Sequence, residues 1–208
     1  QPPEAAPKPP GTYRILVLGD SCTYAQGLDE HLGFVRRLEG RLHEERPLPG
    51  IDRYEVYNGG IPGSLTPAWR ELLAHLGRDY EPDLVLAVFF LRDGVAGVTT
   101  MGQVDGIRTE MQRIARTSLA YRHSYLVRFV RARIERRRLS DRYLARIRAS
   151  YLGPQADRGE WFRARTELLW MKRESARLGA EFALVVFPML YELGDDYPLE
   201  GVCDAIEG

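Results

Sequence analysis

Lysine is nearly missing from this chain. Of its 29 basic residues only Lys8 and Lys172 are lysines, and the rest are arginines, a bias that reads mainly as genome composition. Cysteine is scarce too. Cys22 and Cys203 stand alone, which excludes a disulfide-stapled miniprotein, and with no geometry to pair them they read as free thiols. No apolar run is long enough to cross a bilayer: the longest, Leu84 to Leu91, falls far short of the roughly 20 residues required. Net charge is absent as well, with 29 basic residues against 29 acidic. What is present is ordinary. A hydrophobic share of 44% and a charged share of 28% over 208 residues exclude collagen and a wholly disordered chain. That length suits one domain, with room for a large insertion.

The neutrality conceals a split. Residues 108–148 hold 13 arginines against three acidic residues, so the remainder is correspondingly acidic. The first ten residues contain five prolines and read as an extended linker covering residues 1–12. Such a linker suits an extracytoplasmic protein anchored through a segment further upstream.

Short apolar runs alternate with helical patterns. Tyr13 to Leu18, Tyr54 to Tyr57, Asp83 to Leu91 and Glu181 to Phe187 read as strands, the third apolar on both faces. Phe34 to Glu45 has helical spacing and is stopped by Pro47 and Pro49. Thr66 to Leu76 opens with Thr66 as N-cap and Pro67 as first helical residue. Glu160 to Leu178 is a helix ended by Gly179, and Tyr197 to Glu207 a last one. The order predicts a parallel sheet covered by helices on both faces. In such sheets ligands bind beyond the carboxyl ends of the strands, where the strand order reverses. Three unusual turns sit at strand ends: Gly19 to Cys22, Asn58 to Ser64, and Arg92 to Gly94. The second is read as a turn whose glycines permit positive φ.

Gly19-Asp20-Ser21 places a serine hydroxyl at a strand-to-helix turn, where backbone N–H groups favour developing negative charge. Together with "VYNGGIPGSLT" (residues 56–66) and "PDLVLAVFFLRDGV" (82–95), the segment "ILVLGDSCTYAQGLD" (15–29) resembles the first three sequence blocks of the SGNH, or GDSL-type, hydrolases. The resemblance covers the first hundred residues well and the rest only by strand and helix order. It implies a three-layer α/β/α sandwich with a flavodoxin-like parallel sheet, carrying a serine-dependent esterase or a related O-acyltransferase. It needs no cofactor and no metal. By the same likeness Ser21 matches the nucleophile, its N–H one oxyanion donor, and Gly63 the second donor. Asp20 would organise the turn, with Asn58 and Asp93 in support.

Two departures from the family pattern stand out. Arg92 occupies the position of the usual oxyanion-binding Asn. It would donate hydrogen bonds, bind an anionic group, or simply pair with Asp93. The family's closing Asp-x-x-His is missing altogether. His31, His43, His75 and His123 all read as ordinary histidines, none with an Asp three residues before it. A chain cut before its last strand would explain both the absent base and a fourth strand with no fifth to follow; a non-catalytic, polysaccharide- or envelope-binding relative is the alternative. Cys22, next to Ser21, is the weaker candidate for a thiol nucleophile.

Between strand three and the next helix lies a basic helical insertion, residues 99–152. Ile107, Met111, Ile114, Leu126, Phe129, Val130, Ile134, Leu144 and Ile147 recur in it at near-helical spacing. It reads as a packed helical layer with a solvated arginine face. Arg131, Arg133, Arg136, Arg137 and Arg138 offer a contact for a membrane or anionic polymer. No nucleic-acid motif accompanies them. The expected substrate is a small-molecule or carbohydrate ester.

Overall fold

The computed structural model describes residues 7–95, 108–109, 112–114, 121, 123–189 and 197–207. Ile107, Met111, the start of the insertion and the first six residues of the proline-rich stretch lie outside them. The chain forms two compact units, residues 1–93 with 162–188, and residues 94–161 with 189–208.

The first unit holds the sheet. Its strands are β1 (Thr12–Gly19), β2 (Arg53–Gly60), β3 (Leu84–Phe90) and β4 (Glu181–Phe187). All pairs are parallel, in the order β2-β1-β3-β4. Helices α1 (Ser21–Tyr24), α2 (Phe34–Glu45), α3 (Thr66–Tyr80) and α5 (Glu160–Arg177) accompany it. Alternation along each strand sorts the core onto two faces. Ile15, Val17, Val56 and Val88 pack with Val35, Phe34, Leu38 and Leu42 of α2. On the opposite face Trp69 of α3 meets Phe89 edge-on at 6.5 Å, and Leu16, Leu18 and Val85 are buried. α3 abuts α5 and the residue after it: a Cβ on Gly77 would lie 2.6 Å from Leu178, and Arg70 pairs with Glu167 at 3.2 Å. The result is the doubly wound, helix-covered parallel sheet that the alternation predicts.

The two sheet edges differ. Outward-facing N–H groups of β2 are closed by side chains. Tyr54 N–H donates to His43 Nε2 (3.3 Å), Val56 N–H to Glu39 Oε1 (3.2 Å) and Gly60 N–H to Asn58 Oδ1 (2.9 Å). At the other edge β4 pairs only with β3 among the described residues. None of its residues is buried, and Val185 is exposed.

Two expectations are revised. β2 extends to Gly60, so Asn58, Gly59 and Gly60 are strand residues rather than turn residues. Of the three glycines in that block only Gly63 has positive φ. Thr66 is the first residue of α3 rather than its cap: the cap is Leu65, with no side-chain bond, and Pro67 follows. Thr66 is instead buried.

In the second unit α4 (Tyr125–Leu152) is capped by Ser124, whose Oγ accepts from Val127 N–H at 3.3 Å. Its C-terminal half buries Leu144, Ile147 and Tyr151. Tyr151 packs on Trp161 with ring centroids 4.8 Å apart, and Ser150 Oγ donates to Gly94 O (2.7 Å). Arg148 Nε donates to Pro198 O (2.9 Å), just before α6 (Glu200–Glu207). The N-terminal half departs from the packed layer expected: Leu126, Phe129, Val130 and Ile134 are exposed. Helical periodicity carries the buried stripe onto Arg137 and Arg133, and a charged stretch of stripe has no reason to leave water.

Candidate active site

Ser21 is the first residue of a single helical turn directly after β1. Asp20 caps that turn, its Oδ1 accepting from Cys22 N–H at 2.8 Å. Gly19 is needed before it, because a Cβ there would sit 2.0 Å from Thr23 Oγ1. Thr23 is buried, so the turn is pressed onto the strand end. Ser21 itself is half-buried, and its side chain makes no hydrogen bond among the described residues.

β2 holds this turn from the side. Asn58 Nδ2 donates to Thr23 O (2.9 Å) while its Oδ1 accepts from Gly60 N–H. A Cβ on Gly60 would lie 2.3 Å from Tyr24 N. Gly60 therefore serves close approach of two backbones, not turn flexibility. Beyond it, Ile61-Pro62-Gly63-Ser64 closes with Ser64 N–H donating to Ile61 O (3.1 Å), and Gly63 has φ +76°. Proline then left-handed glycine at the two central positions is the signature of a type II turn. Ile61 N–H donates to Gly19 O (3.0 Å) and Ser64 Oγ bonds the same carbonyl (3.3 Å). Trp69 Nε1–H donates to Ser64 Oγ at 2.8 Å. The turn bearing Gly63 is thus anchored to the strand end that bears Ser21. Sequence reasoning does not single out Ser64 and Trp69; the available signal is a serine five residues before a tryptophan in the first turn of a helix.

Arg92 comes from the 3₁₀ turn Leu91–Gly94 after β3. Its Nη2 donates to Asp20 Oδ2, and its Nε lies 3.7 Å from Asp93 Oδ1. The guanidinium sits 5.3 Å from the Phe90 ring centroid. Its chief partner is therefore the motif aspartate rather than its neighbour Asp93. Asp93 is buried and accepts from Phe90 N–H at 3.0 Å. Desolvation pushes its carboxyl up to about 7, with the Asp20 charge adding to the effect and the Phe90 N–H and Arg92 opposing it. Cys22 is a free thiol. Partial burial first, then the Asp20 carboxylate, push it up, away from the thiolate a nucleophile needs.

Ser21, Asp20, Asn58, Gly63, Arg92 and Asp93 thus all come from the carboxyl ends of three adjacent strands. The strand order reverses between β1 and β3, where such sheets hold their ligands. A cavity of about 510 Å³ adjoins this place, lined among others by Tyr24, Leu28, Arg36, Glu39, Tyr57 and Asn58. Ser21, Gly63 and Arg92 are not in its walls.

The histidines are elsewhere engaged. His43 Nδ1 is bonded to Glu39 O (2.9 Å) while Nε2 accepts from Tyr54 N–H, so both nitrogens are used. His75 Nδ1 is bonded to Glu71 O (2.8 Å). His31 and His123 are exposed. None is bonded to Ser21 among the described residues. Nor do three or more His, Cys, Asp or Glu side chains among them gather as a metal site would require.

The solved structure of TesA superposes over 92% of this chain and 69% of its own, with a TM-score of 0.50 and 19% identity. The chain shares that protein's fold, a parallel sheet covered by helices on both faces. Looser similarity, with no weight in the argument, extends to AlinE4, a SGNH-hydrolase family esterase. There the TM-score is 0.35 and the identity 14%, over 93% of this chain and 80% of that one. The lipase/acylhydrolase from Enterococcus faecalis is similar at a TM-score of 0.32 and 24% identity, over 49% and 52%. No family sequence model matches the chain, and no curated protein matches it by sequence. The shared fold accounts for the sheet and its helices; it says nothing by itself of substrate.

Proposed function

We propose that this chain carries a serine-dependent acyl-ester hydrolase site centred on Ser21, acting on a small-molecule or carbohydrate ester. One observation carries the reading. Ser21, Gly63 and Arg92 come from three adjacent strand ends tied together through Gly19, Asn58 and Asp20. In this reading the Ser21 Oγ attacks the ester carbonyl and its proton leaves to a base. The oxyanion is received by the N–H groups of Ser21 and Gly63 and by the guanidinium of Arg92. Asp20 occupies one of the five N–H groups of Arg92 and leaves others to donate. Collapse expels the alcohol with a proton and leaves an acyl-enzyme, which water resolves.

In this reading none of the four histidines serves as the base: His43 and His75 are bonded elsewhere, and none is bonded to Ser21 among the described residues. A serine site without its base retains only what the oxyanion donors and binding supply. The chain by itself is therefore expected to acylate from an activated aryl ester and to turn over very slowly. Intact-mass analysis after exposure to para-nitrophenyl acetate tests this. A single acetyl adduct on the Ser21 peptide, lost in Ser21→Ala, is expected. Ordinary multiple turnover, or an adduct that persists in Ser21→Ala, refutes it. The Asp20–Arg92 pair and the missing histidine favour one other reading, a non-catalytic binding relative, for which no adduct forms at all.

A further inference from the structure

The first half of α4 joins two features that soluble helices normally keep apart. Tyr125 is 83% exposed, Leu126 71% and Phe129 64%, with Val130 and Ile134 exposed beside them. Six arginines and one acidic residue, Glu135, fall between 125 and 138. Glu135 is matched by Arg138 at 3.2 Å, and Arg128 lies 4.0 Å from the Tyr125 ring centroid. Arg131, Arg133, Arg136 and Arg137 have no ion-pair partner among the described residues.

The arrangement along the axis matters more than the composition. Along the face of Leu126, Phe129 and Val130 the next positions are Arg133 and Arg137, with Arg131 and Ile134 interleaved. An interfacial helix sinks its apolar side chains about 5–10 Å below the headgroups. Long arginine stems then let the charges remain at headgroup level.

We propose that the N-terminal half of α4 docks on an anionic lipid bilayer, with Leu126, Phe129 and Val130 below the headgroups and the arginine belt on the lipid phosphates. A second copy of this chain fits the surface poorly, since pairing would bring two arginine belts together. A polysaccharide would satisfy the arginines and leave the apolar tip in water. No helix of the described residues is long and apolar enough to span a membrane, so the contact is a surface one.

The test is flotation of the chain with vesicles of phosphatidylcholine alone and of an equal mixture with phosphatidylglycerol. Binding to the mixed vesicles only, weakened by salt, is expected. Each of Arg133→Gln and Arg137→Gln should lower the partition coefficient roughly fivefold. The double variant Leu126→Ser with Phe129→Ser should abolish binding, while circular dichroism and Ser21 acetylation stay as in the parent chain because these side chains are exposed. Phe129→Trp should add a blue-shifted emission on vesicle addition. The proposal is overturned if the chain does not float with mixed vesicles, floats equally with phosphatidylcholine alone, or binds undiminished in the double variant. It is also overturned by retention on an anionic polysaccharide without vesicle binding, or by an unshifted Phe129→Trp emission.

Discussion

Replacing Asp93 by asparagine should stabilise this protein at neutral and alkaline pH and leave it nearly unchanged in acid. Asp93 is 7% exposed and its carboxyl is pushed up from 3.8 to about 7, chiefly by desolvation. Below pH 4 it is protonated both folded and unfolded, and costs nothing. Between pH 4 and 7 the unfolded chain releases a proton that the folded chain keeps. Stability therefore falls as pH rises, by about 1.4 kcal/mol per pH unit. Above pH 7 both states are ionised and the loss is complete, on the order of 4 kcal/mol. Asparagine resembles the protonated acid. Its Oδ1 can still accept from Phe90 N–H, and its amide, facing Arg92 Nε, gives back about 1 kcal/mol of the gain.

The assay is urea unfolding of the parent chain and Asp93→Asn, followed by tryptophan fluorescence from pH 3.5 to pH 8.5 (a range chosen to bracket both ionisations). The difference between the two removes the contribution of every other carboxylate. It should be near zero at the acid end, grow through the window from 4 to 7, and then level off. A difference that does not vary with pH, or a variant less stable at pH 8, would refute the claim that burial holds this carboxyl neutral.

Three further substitutions probe how the site is held. Arg92→Leu should cost roughly 3 kcal/mol by leaving the Asp20 carboxylate, itself 3% exposed, without its cation; a loss below about 1 kcal/mol in urea unfolding would deny the pair that importance. Gly60→Ala places a Cβ 2.3 Å from Tyr24 N, a backbone atom that cannot yield, so about 1–3 kcal/mol should be lost along with Ser21 acetylation. Gly63→Ala meets no atom within 4 Å but keeps φ +76°, so only backbone strain of about 1–2 kcal/mol should register, and thermal unfolding compared with Gly60→Ala will separate the two causes.

Much of the sheet was legible because its signals are local. A short apolar run such as Glu181–Phe187 bounded by Gly179 and Pro188 admits few readings, and α2 begins and ends where its periodicity does. The turn around Ser21 was legible for the same reason. What escaped were facts that depend on a distant partner. Gly59 and Gly60 look like turn residues until Val17 O and Tyr24 N are seen against them. Arg92 has an acidic neighbour in Asp93, yet its guanidinium reaches 72 positions back to Asp20. The stripe of α4 reads as core in the sequence because periodicity reports a face, not what lies across from it. Leu144 and Ile147 have a neighbour there; Phe129 has water.

The unequal edges of the sheet give it a direction of growth. Along β2, His43, Glu39 and Asn58 have already taken the N–H groups that a newcomer would need, so that side is finished. Among the described residues nothing pairs with the outer edge of β4, which is apolar after Glu181 and has Val185 exposed, the condition under which sheets recruit another strand. Whatever joins this sheet will therefore join it at β4, and a lysine at position 185 would be enough to turn that side into a second hem.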